Sequence, residues 1–179
     1  TIIAIGGTAL TLLNLKESTK DIDFDIPFKK DKETLFKLFI DLGFEKESFA
    51  WFTPTGLRID IFERGYIFCI QLLLDYIEKS NTILELDNIT LKILDSEDII
   101  ITKCGRGDER DFQDIKRIYE TSQIDNWKLA ERYFKTNESS PDSPEMIRQK
   151  FLDLVEIKFW QWKYPLDQKL IKRVKGWEI

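Results

Sequence analysis

Near its start the chain reads Ile5-Gly-Gly-Thr8 and then Asp21-Ile-Asp-Phe-Asp-Ile26, and these two parts of one stretch indicate its fold. In its first part, a β-branched segment runs through two glycines into residues with helical spacing. Glycine lets the backbone approach a ligand closely, and the N–H groups at the start of a helix bind anions. The first part therefore predicts a strand-to-helix turn that can hold a phosphate group.

The second part of the stretch alternates acidic and apolar residues with the period of a β-strand. Asp21 and Asp23 therefore project from one face, while Ile22 and Phe24 fill a core on the other. Asp60 alternates with apolar neighbours in the same way further along the chain. If the two strands are neighbours, three carboxylates converge and repel one another unless cations neutralise them. Such oxygen ligands select Mg²⁺ or Mn²⁺, and two such ions can clamp a phosphoryl transfer.

Each feature alone has a simpler explanation. The acidic segment can be an ordinary half-exposed strand, and Gly6-Gly7 can be an ordinary tight turn between a strand and a helix. The combination of the two features within one short stretch favours a site for phosphate and metal.

The residues resemble a known family. Gly6-Gly7, then Asp21-Ile-Asp23 after thirteen intervening residues, then Arg58-Ile-Asp60-Ile, resemble the minimal signature of the DNA polymerase β-like nucleotidyltransferase superfamily. Within it, Gly6-Gly-Thr-Ala-Leu10 with Ser18-Thr-Lys-Asp-Ile-Asp-Phe24 is similar to the AbiEii type toxins and their uncharacterised bacterial and archaeal relatives. The resemblance covers roughly residues 2–118. Many superfamily members carry Gly-Ser at the turn where this chain has Gly-Gly.

The resemblance implies roles for single residues. Asp21 and Asp23 would hold two metal ions, and Asp60 would be the third ligand, placed to accept the proton of the attacking hydroxyl. The phosphates of the nucleotide would contact three residues of the turn, namely Gly6, Gly7 and Thr8.

A second motif resembles the AbiEii-like branch, in which a helix lysine precedes an Arg-Asp-x-x-Asp run. Here the lysine is Lys103, and the run is Arg110-Asp-Phe-Gln-Asp114. We expect the Lys103 stem to be buried and its ammonium to extend toward a phosphate. Arg106 can also reach phosphate, while Asp111 and Asp114 orient Lys103 or an acceptor, or pair with Arg110. The alternative is a solvated lattice of salt bridges among these residues.

The whole pattern predicts an α+β fold, with a small mixed sheet like the polymerase β palm, flanking helices and a helical C-terminal region. Residues 1–135 would form the nucleotidyltransferase core with a helical extension, and residues 144–179 a C-terminal appendage beyond a polar loop with two prolines. We expect strands at residues 2–5, 21–26, 44–52, 57–62, 83–86 and 89–94, and helices at 8–16, 32–42, 67–77, from 96, and at 109–121, 126–135 and 144–162.

Composition excludes several chemistries. The 179 residues include no histidine, which rules out Ser-His-Asp and Cys-His catalysis and histidine zinc sites. Two distant cysteines give no disulfide framework, so we expect a reducing, cytoplasmic location. The longest nearly apolar run, Tyr66 to Leu74, is too short to cross a bilayer, so we expect no membrane partner. Because the chain begins within an apparent strand, we also expect a preceding segment.

The C-terminal region is basic and aromatic, with eight basic and four acidic side chains between Arg148 and Ile179. Such a surface can stack bases and neutralise phosphates, which would suit a nucleic acid such as transfer RNA. The alternative is core packing, because Phe151, Leu154, Val155 and Phe159 follow helical spacing.

By resemblance, the chain is expected to be a metal-dependent nucleotidyltransferase. It would move a nucleoside monophosphate from an NTP to a hydroxyl of RNA or of a protein, and the same resemblance implies a role as a toxin with an antitoxin partner. One alternative is a catalytically inactive module that binds nucleotide or a partner. Another is a kinase-like phosphotransferase on the same scaffold.

Overall fold

The structure is a computed structural model, and it describes residues 1–138 and 140–177. The chain divides into two compact units, Thr1–Ile67 with Leu74–Asp95, and Phe68–Leu73 with Ser96–Ile179. The loop at residues 136–143, where the sequence predicts a boundary, lies within the second unit. The predicted separate appendage at 144–179 stays a prediction, and residue 139 of the loop and residues 178–179 lie outside the described residues.

The strands, in chain order, are β1 Ile2–Ala4, β2 Asp21–Ile26, β3 Glu45–Glu47, β4 Ala50–Phe52, β5 Arg58–Glu63, β6 Tyr66–Ile67, β7 Ile70–Gln71, β8 Asn81–Leu86 and β9 Ile89–Ile93. The helices are α1 Gly6–Leu12, α2 Lys29–Asp41, α3 Tyr76–Lys79, α4 Ser96–Arg106, α5 Glu109–Thr121, α6 Asn126–Thr136, α7 Pro144–Leu152, α8 Phe159–Trp162 and α9 Gln168–Lys175.

The first unit is built on a mixed sheet with the strand order β3-β4-β5-β2-β1-β9-β8, and β6 pairs with β5. The central strand β2 runs parallel to β5 and antiparallel to β1, which in turn runs parallel to β9. The predicted α+β fold with a small mixed sheet is confirmed. The strands expected at residues 83–86 and 89–94 are also present, as the antiparallel pair β8 and β9.

One face of β2 and β5 packs into an apolar core. Its buried centre consists of Phe39 from α2, Trp51 from β4 and Ile59 from β5. Burying a side chain such as Phe39 stabilises the fold by about 1.5–3 kcal/mol. The residues packed against this centre are Ile22, Phe24, Leu35, Phe36, Phe44 and Ile61. Because alternate residues of a strand point to opposite faces, the acids of β2 and β5 lie on the other face of the sheet.

Three predicted elements are wrong in detail. The helix expected at residues 67–77 is replaced by β6, β7 and the short α3, because Phe68 and Cys69 both have positive φ angles, 48° and 69°, which a right-handed helix does not accept. The strand expected at 44–52 is a hairpin of β3 and β4 that turns near Ser48, where φ is 55°. The first helix ends at Leu12, before Asn14 with a φ of 58°.

The second unit is helical apart from β7. The helix expected at 144–162 is interrupted by a π-helical segment, Asp153–Lys158, between α7 and α8. The expected core stripe is confirmed, since Phe151, Leu154, Val155 and Phe159 are all buried, whereas Trp160 is 71% exposed. Within residues 1–138 and 140–177, the helices are all too short or too polar to span a membrane.

Candidate active site

The parallel pairing of β2 with β5 places the predicted acids on neighbouring strands. Asp23 lies directly opposite Asp60, and Asp21 lies opposite Arg58. The condition on which the predicted convergence depends, that the two strands are neighbours, is therefore met. All four side chains belong to the face of the sheet that points away from the apolar core.

Arg58 pairs with the carboxylate of Asp60 in the structure. Its Nε donates to Asp60 Oδ1 at 3.0 Å, and its second terminal nitrogen lies 3.0 Å from the same oxygen. The Arg58 side chain is 49% exposed and that of Asp60 is 20% exposed. The guanidinium thus offsets part of the repulsion that a carboxylate cluster creates. Arg58 belongs to the Arg58-Ile-Asp60-Ile motif but has no predicted role, although its place two residues before Asp60 puts both on one face.

The glycine turn lies where the sequence predicts it, and it is tightly packed. Gly6 has a φ of 54°, in the left-handed region that favours glycine. A Cβ on Gly7 would lie 2.7 Å from Thr19 Oγ1, so a larger residue has no room there. The close approach explains the Gly-Gly sequence, because the chain after α1 must fold back over the turn before it enters β2.

Thr8 joins this turn to the acidic strand. Its hydroxyl accepts a hydrogen bond from the Asp23 backbone N–H at 2.8 Å and lies 3.5 Å from the Asp21 carbonyl oxygen. Thr19 Oγ1 donates to the same carbonyl at 3.0 Å. These contacts fix the backbone of the acidic strand against α1. A contact of Thr8 with a nucleotide phosphate stays a prediction.

Lys16 is a candidate that the sequence analysis missed. Its Nζ lies 3.9 Å from the position that a Cβ on Gly7 would occupy. The ammonium is therefore close to the predicted phosphate-binding turn. One feature of the sequence points to this contact. The connection between α1 and β2, which contains Lys16, is long enough to return past the turn.

Asp25, the third acid of β2, is buried and serves the fold. Tyr76 donates its hydroxyl to Oδ2 at 2.6 Å, and the Gly65 N–H donates to Oδ1 at 3.0 Å. Burial raises the pKa of the Asp25 carboxyl above its usual value, against the opposite effect of these two hydrogen bonds. The alternation that selects Asp21 and Asp23 therefore does not extend the site to Asp25.

The second predicted cluster forms a buried ionic network in the second unit. Lys103 Nζ lies 3.2 Å from Asp111 Oδ1 and 2.7 Å from Asp114 Oδ2, and its side chain is 2% exposed. The ammonium is thus enclosed between two carboxylates rather than extended to the surface as we expected. The expected orientation of Lys103 by both acids is present, but its contact with a nucleotide stays a prediction.

Two arginines complete this network. Arg106 Nε donates to Asp111 Oδ2 at 2.7 Å, and Arg117 donates to Asp114 Oδ1 at 2.7 Å. Asp114 therefore pairs with Arg117 as well as with Lys103. Burial alone would raise the pKa of Asp111, but the hydrogen bond from Arg106 and the charge of Lys103 outweigh it and hold that pKa below its usual value. The Arg106 guanidinium also stacks on the Phe68 ring, 4.1 Å from its centroid.

The acids of the first unit fit a divalent cation in kind. They supply carboxylate oxygens, which Mg²⁺ and Mn²⁺ prefer, from facing positions of two strands. Within the part of the chain that the structure describes, no three acidic or thiol side chains are gathered closely enough to hold a metal ion. Binding would require Asp60 to turn from Arg58 toward Asp23.

Comparison with protein families places the chain in the class of nucleotidyltransferases. The chain belongs to the family described as nucleotidyltransferase of unknown function (DUF6036), which matches residues 1–166. Membership of the AbiEii-like branch stays a prediction.

Among solved structures, the chain is similar to an antigenic nucleotidyltransferase-like protein from Paracoccidioides brasiliensis, with 16% sequence identity, a TM-score of 0.46, and coverage of 83% of this chain and 84% of that chain. A similarity at this level carries no argument about activity. The curated proteins contain no match to this sequence.

Proposed function

We propose that the chain transfers a nucleoside monophosphate from an NTP to a hydroxyl group of RNA, such as transfer RNA, or of a protein, and releases pyrophosphate. One observation carries the proposal: Asp23 and Asp60 face each other on adjacent parallel strands, and Thr8 ties the acidic strand to the glycine turn. This arrangement joins a candidate phosphate site to a candidate metal site within one unit.

In the proposed reaction, the oxygen of the acceptor hydroxyl attacks the α-phosphorus of the NTP. The bond between the α-phosphorus and the bridging oxygen breaks, and pyrophosphate leaves. Asp60 accepts the hydroxyl proton, and backbone N–H groups of Gly6 and Gly7 bind phosphate oxygens. Mg²⁺ or Mn²⁺, held by Asp21, Asp23 and Asp60, would neutralise charge on the attacking and leaving oxygens.

The surface of α9 supports RNA as the acceptor. A cavity of about 370 Å³ is lined by Lys169, Lys172, Arg173 and Gly176. Arg173 stacks on the Trp177 ring at 4.4 Å, which leaves a planar, charged group beside two lysines. Three cations around one cavity suit phosphate oxygens of a nucleic acid. The same three cations also suit an acidic protein, which is the competing acceptor.

Labelled nucleotides test the reaction. The protein is incubated with Mg²⁺, bulk RNA or protein, and each NTP labelled at either the α or the γ position. Nucleotidyl transfer labels the acceptor from the α position alone, and the acceptor that takes up label identifies the substrate class. Label from the γ position would instead support a kinase-like phosphotransferase.

The second candidate is an inactive module that binds nucleotide or a partner. It is favoured by the pairing of Asp60 with Arg58. In the part of the chain that the structure describes, the three acids do not lie close enough together to hold a metal ion. Titration calorimetry with NTP and Mg²⁺ separates the two candidates when the wild type is compared with the Asp21→Ala, Asp23→Ala variant. NTP binding that is equal in both would contradict a metal site at these acids.

A role as the toxin of a toxin–antitoxin pair is part of the same proposal and rests on the resemblance of Gly6–Leu10 and Ser18–Phe24 to the AbiEii type toxins. Expression of the wild type in a bacterial host should then arrest growth, whereas the Asp21→Ala variant should not. Equal growth with both proteins at equal expression would contradict this role.

A further inference from the structure

We infer that Arg58 competes with the metal ion for Asp60. Arg58 pairs with Asp60 when no nucleotide is bound, and its guanidinium moves to a phosphate oxygen of the NTP when a divalent cation binds Asp60. This inference rests on the proposed function, because it concerns the same site. It assigns a positioning role to a residue that neither the family description nor the acidic motif assigns.

Arg58 lies where it can compete with a metal ion for Asp60. Arg58 lies opposite Asp21 and two residues before Asp60, so its side chain belongs to the same face of the sheet as the acids. Its Nε and a terminal nitrogen both lie 3.0 Å from one Asp60 oxygen. A cation therefore already binds the carboxylate that the proposed metal needs.

The positive charge of Arg58 compensates the charge of the acids. Without a metal, Asp21, Asp23 and Asp60 repel one another, and Arg58 supplies a positive charge that lowers this repulsion. A divalent cation supplies the same compensation more strongly and with closer oxygen contacts. The two cations therefore compete for Asp60, because its carboxylate cannot bind both of them closely at the same time.

The exposure and the chemistry of Arg58 allow it to leave Asp60 and to bind phosphate. The Arg58 side chain is about half exposed, and exposed ion pairs of this kind are weak. The guanidinium can therefore leave Asp60 at small cost. Once released, it lies beside the acids on the face where the proposed triphosphate binds, and its planar donors match phosphate oxygens. Release of Asp60 and capture of phosphate are thus coupled through one side chain.

The test measures Mn²⁺ binding by electron paramagnetic resonance in the absence of nucleotide, and NTP binding by calorimetry in the presence of Mn²⁺. We expect Arg58→Gln to bind Mn²⁺ about twofold to fivefold more tightly than the wild type, as expected for loss of a competing exposed ion pair. We expect the same variant to bind NTP more weakly, and Arg58→Lys to restore part of the NTP affinity because it keeps the charge.

Lys37→Gln is the matched control. Lys37 is an exposed cation of the same unit, but it belongs to α2, which packs on the apolar face of the sheet. Its replacement removes one positive charge far from the acids and should leave both affinities unchanged. Circular dichroism on all variants checks that they are folded.

The outcomes separate this inference from the proposed function. Equal Mn²⁺ affinity in Arg58→Gln and the wild type, with loss of binding in Asp21→Ala, would overturn the competition between Arg58 and the metal ion and leave the metal site intact. Tighter Mn²⁺ binding without a change in NTP affinity would overturn the transfer of Arg58 to phosphate. Absence of Mn²⁺ binding in every variant would overturn the metal site and this inference together.

Discussion

The Thr8 hydroxyl accepts a hydrogen bond of 2.8 Å from the backbone N–H of Asp23, and so connects the glycine turn directly to the acidic strand. A phosphate on the turn and a metal on the acids would therefore be held by one rigid piece of backbone. Pre-organised placement of this kind is a large part of what a phosphoryl-transfer enzyme supplies.

Thr8→Val keeps the shape of the side chain but removes the acceptor for the Asp23 N–H. Because Thr8 is buried, with 8% exposure, the N–H loses its partner without gaining water. We expect a loss of about 1–3 kcal/mol in the free energy of unfolding, measured by urea denaturation. Thr8→Ser keeps the hydroxyl and should retain most of the stability. Equal stability of Thr8→Val and the wild type would show that this bond does not hold the strand.

Gly7→Ala should destabilise the turn, because the added Cβ would lie 2.7 Å from Thr19 Oγ1. Overpacking of this kind costs about 1–3 kcal/mol. The double variant Gly7→Ala, Thr19→Ala removes the nearest conflict. Its loss of stability should therefore be smaller than the sum of the losses in the two single variants. Thermal unfolding of the single and double variants checks this coupling. Strictly additive losses would contradict the close packing of Gly7 on Thr19.

Lys103→Met should destabilise the second unit strongly. The change removes the ammonium that lies between Asp111 and Asp114 and leaves both buried carboxylates short of a cation. Removing one partner of a buried ionic network costs about 3–5 kcal/mol. Lys116→Met, which removes only an exposed i,i+4 pair with Glu120, should cost less than about 0.5 kcal/mol. Comparable losses in the two variants would contradict the buried network.

Acid should weaken the same network. Arg106 and Lys103 hold the pKa of Asp111 below its usual value in the folded protein. Asp111 therefore binds fewer protons in the folded than in the unfolded state, and its stabilisation is present above about pH 4 and lost as the pH falls through the lower folded pKa. In Arg106→Gln this loss should begin at a higher pH. Acid denaturation followed by circular dichroism compares the two proteins, and identical acid midpoints would contradict the prediction.

The sheet and the placement of the acids could be predicted from the sequence because both depend on local periodicity. The alternation around Asp23 and Asp60 fixes which face each side chain takes, whatever the strands pair with. The helix expected at residues 67–77 failed because its apolar run carries no sign of the left-handed backbone at Phe68 and Cys69.

What could not be predicted depends on contacts distant in the chain or on the choice of a side-chain partner. Lys103 is buried because α4 packs on α5, which only the tertiary structure reveals. The bond from Asp23 to the Thr8 hydroxyl and the pairing of Arg58 with Asp60 are choices among several donors and acceptors on one face. Sequence spacing shows that such groups share a face but not which of them bind each other.

If the acids on β2 and β5 perform nucleotidyl transfer, Asp60→Asn should abolish most of it. Glu63→Gln, an exposed acid of the same strand that pairs with Lys32, is the matched control. The measurement is the Mg²⁺-dependent transfer of label from α-labelled NTP to an acceptor. We predict that Asp60→Asn lowers the rate by about 10²-fold or more, since it removes a metal ligand and the proton acceptor, while Glu63→Gln stays near the wild-type rate. A wild-type rate in Asp60→Asn would contradict the claim.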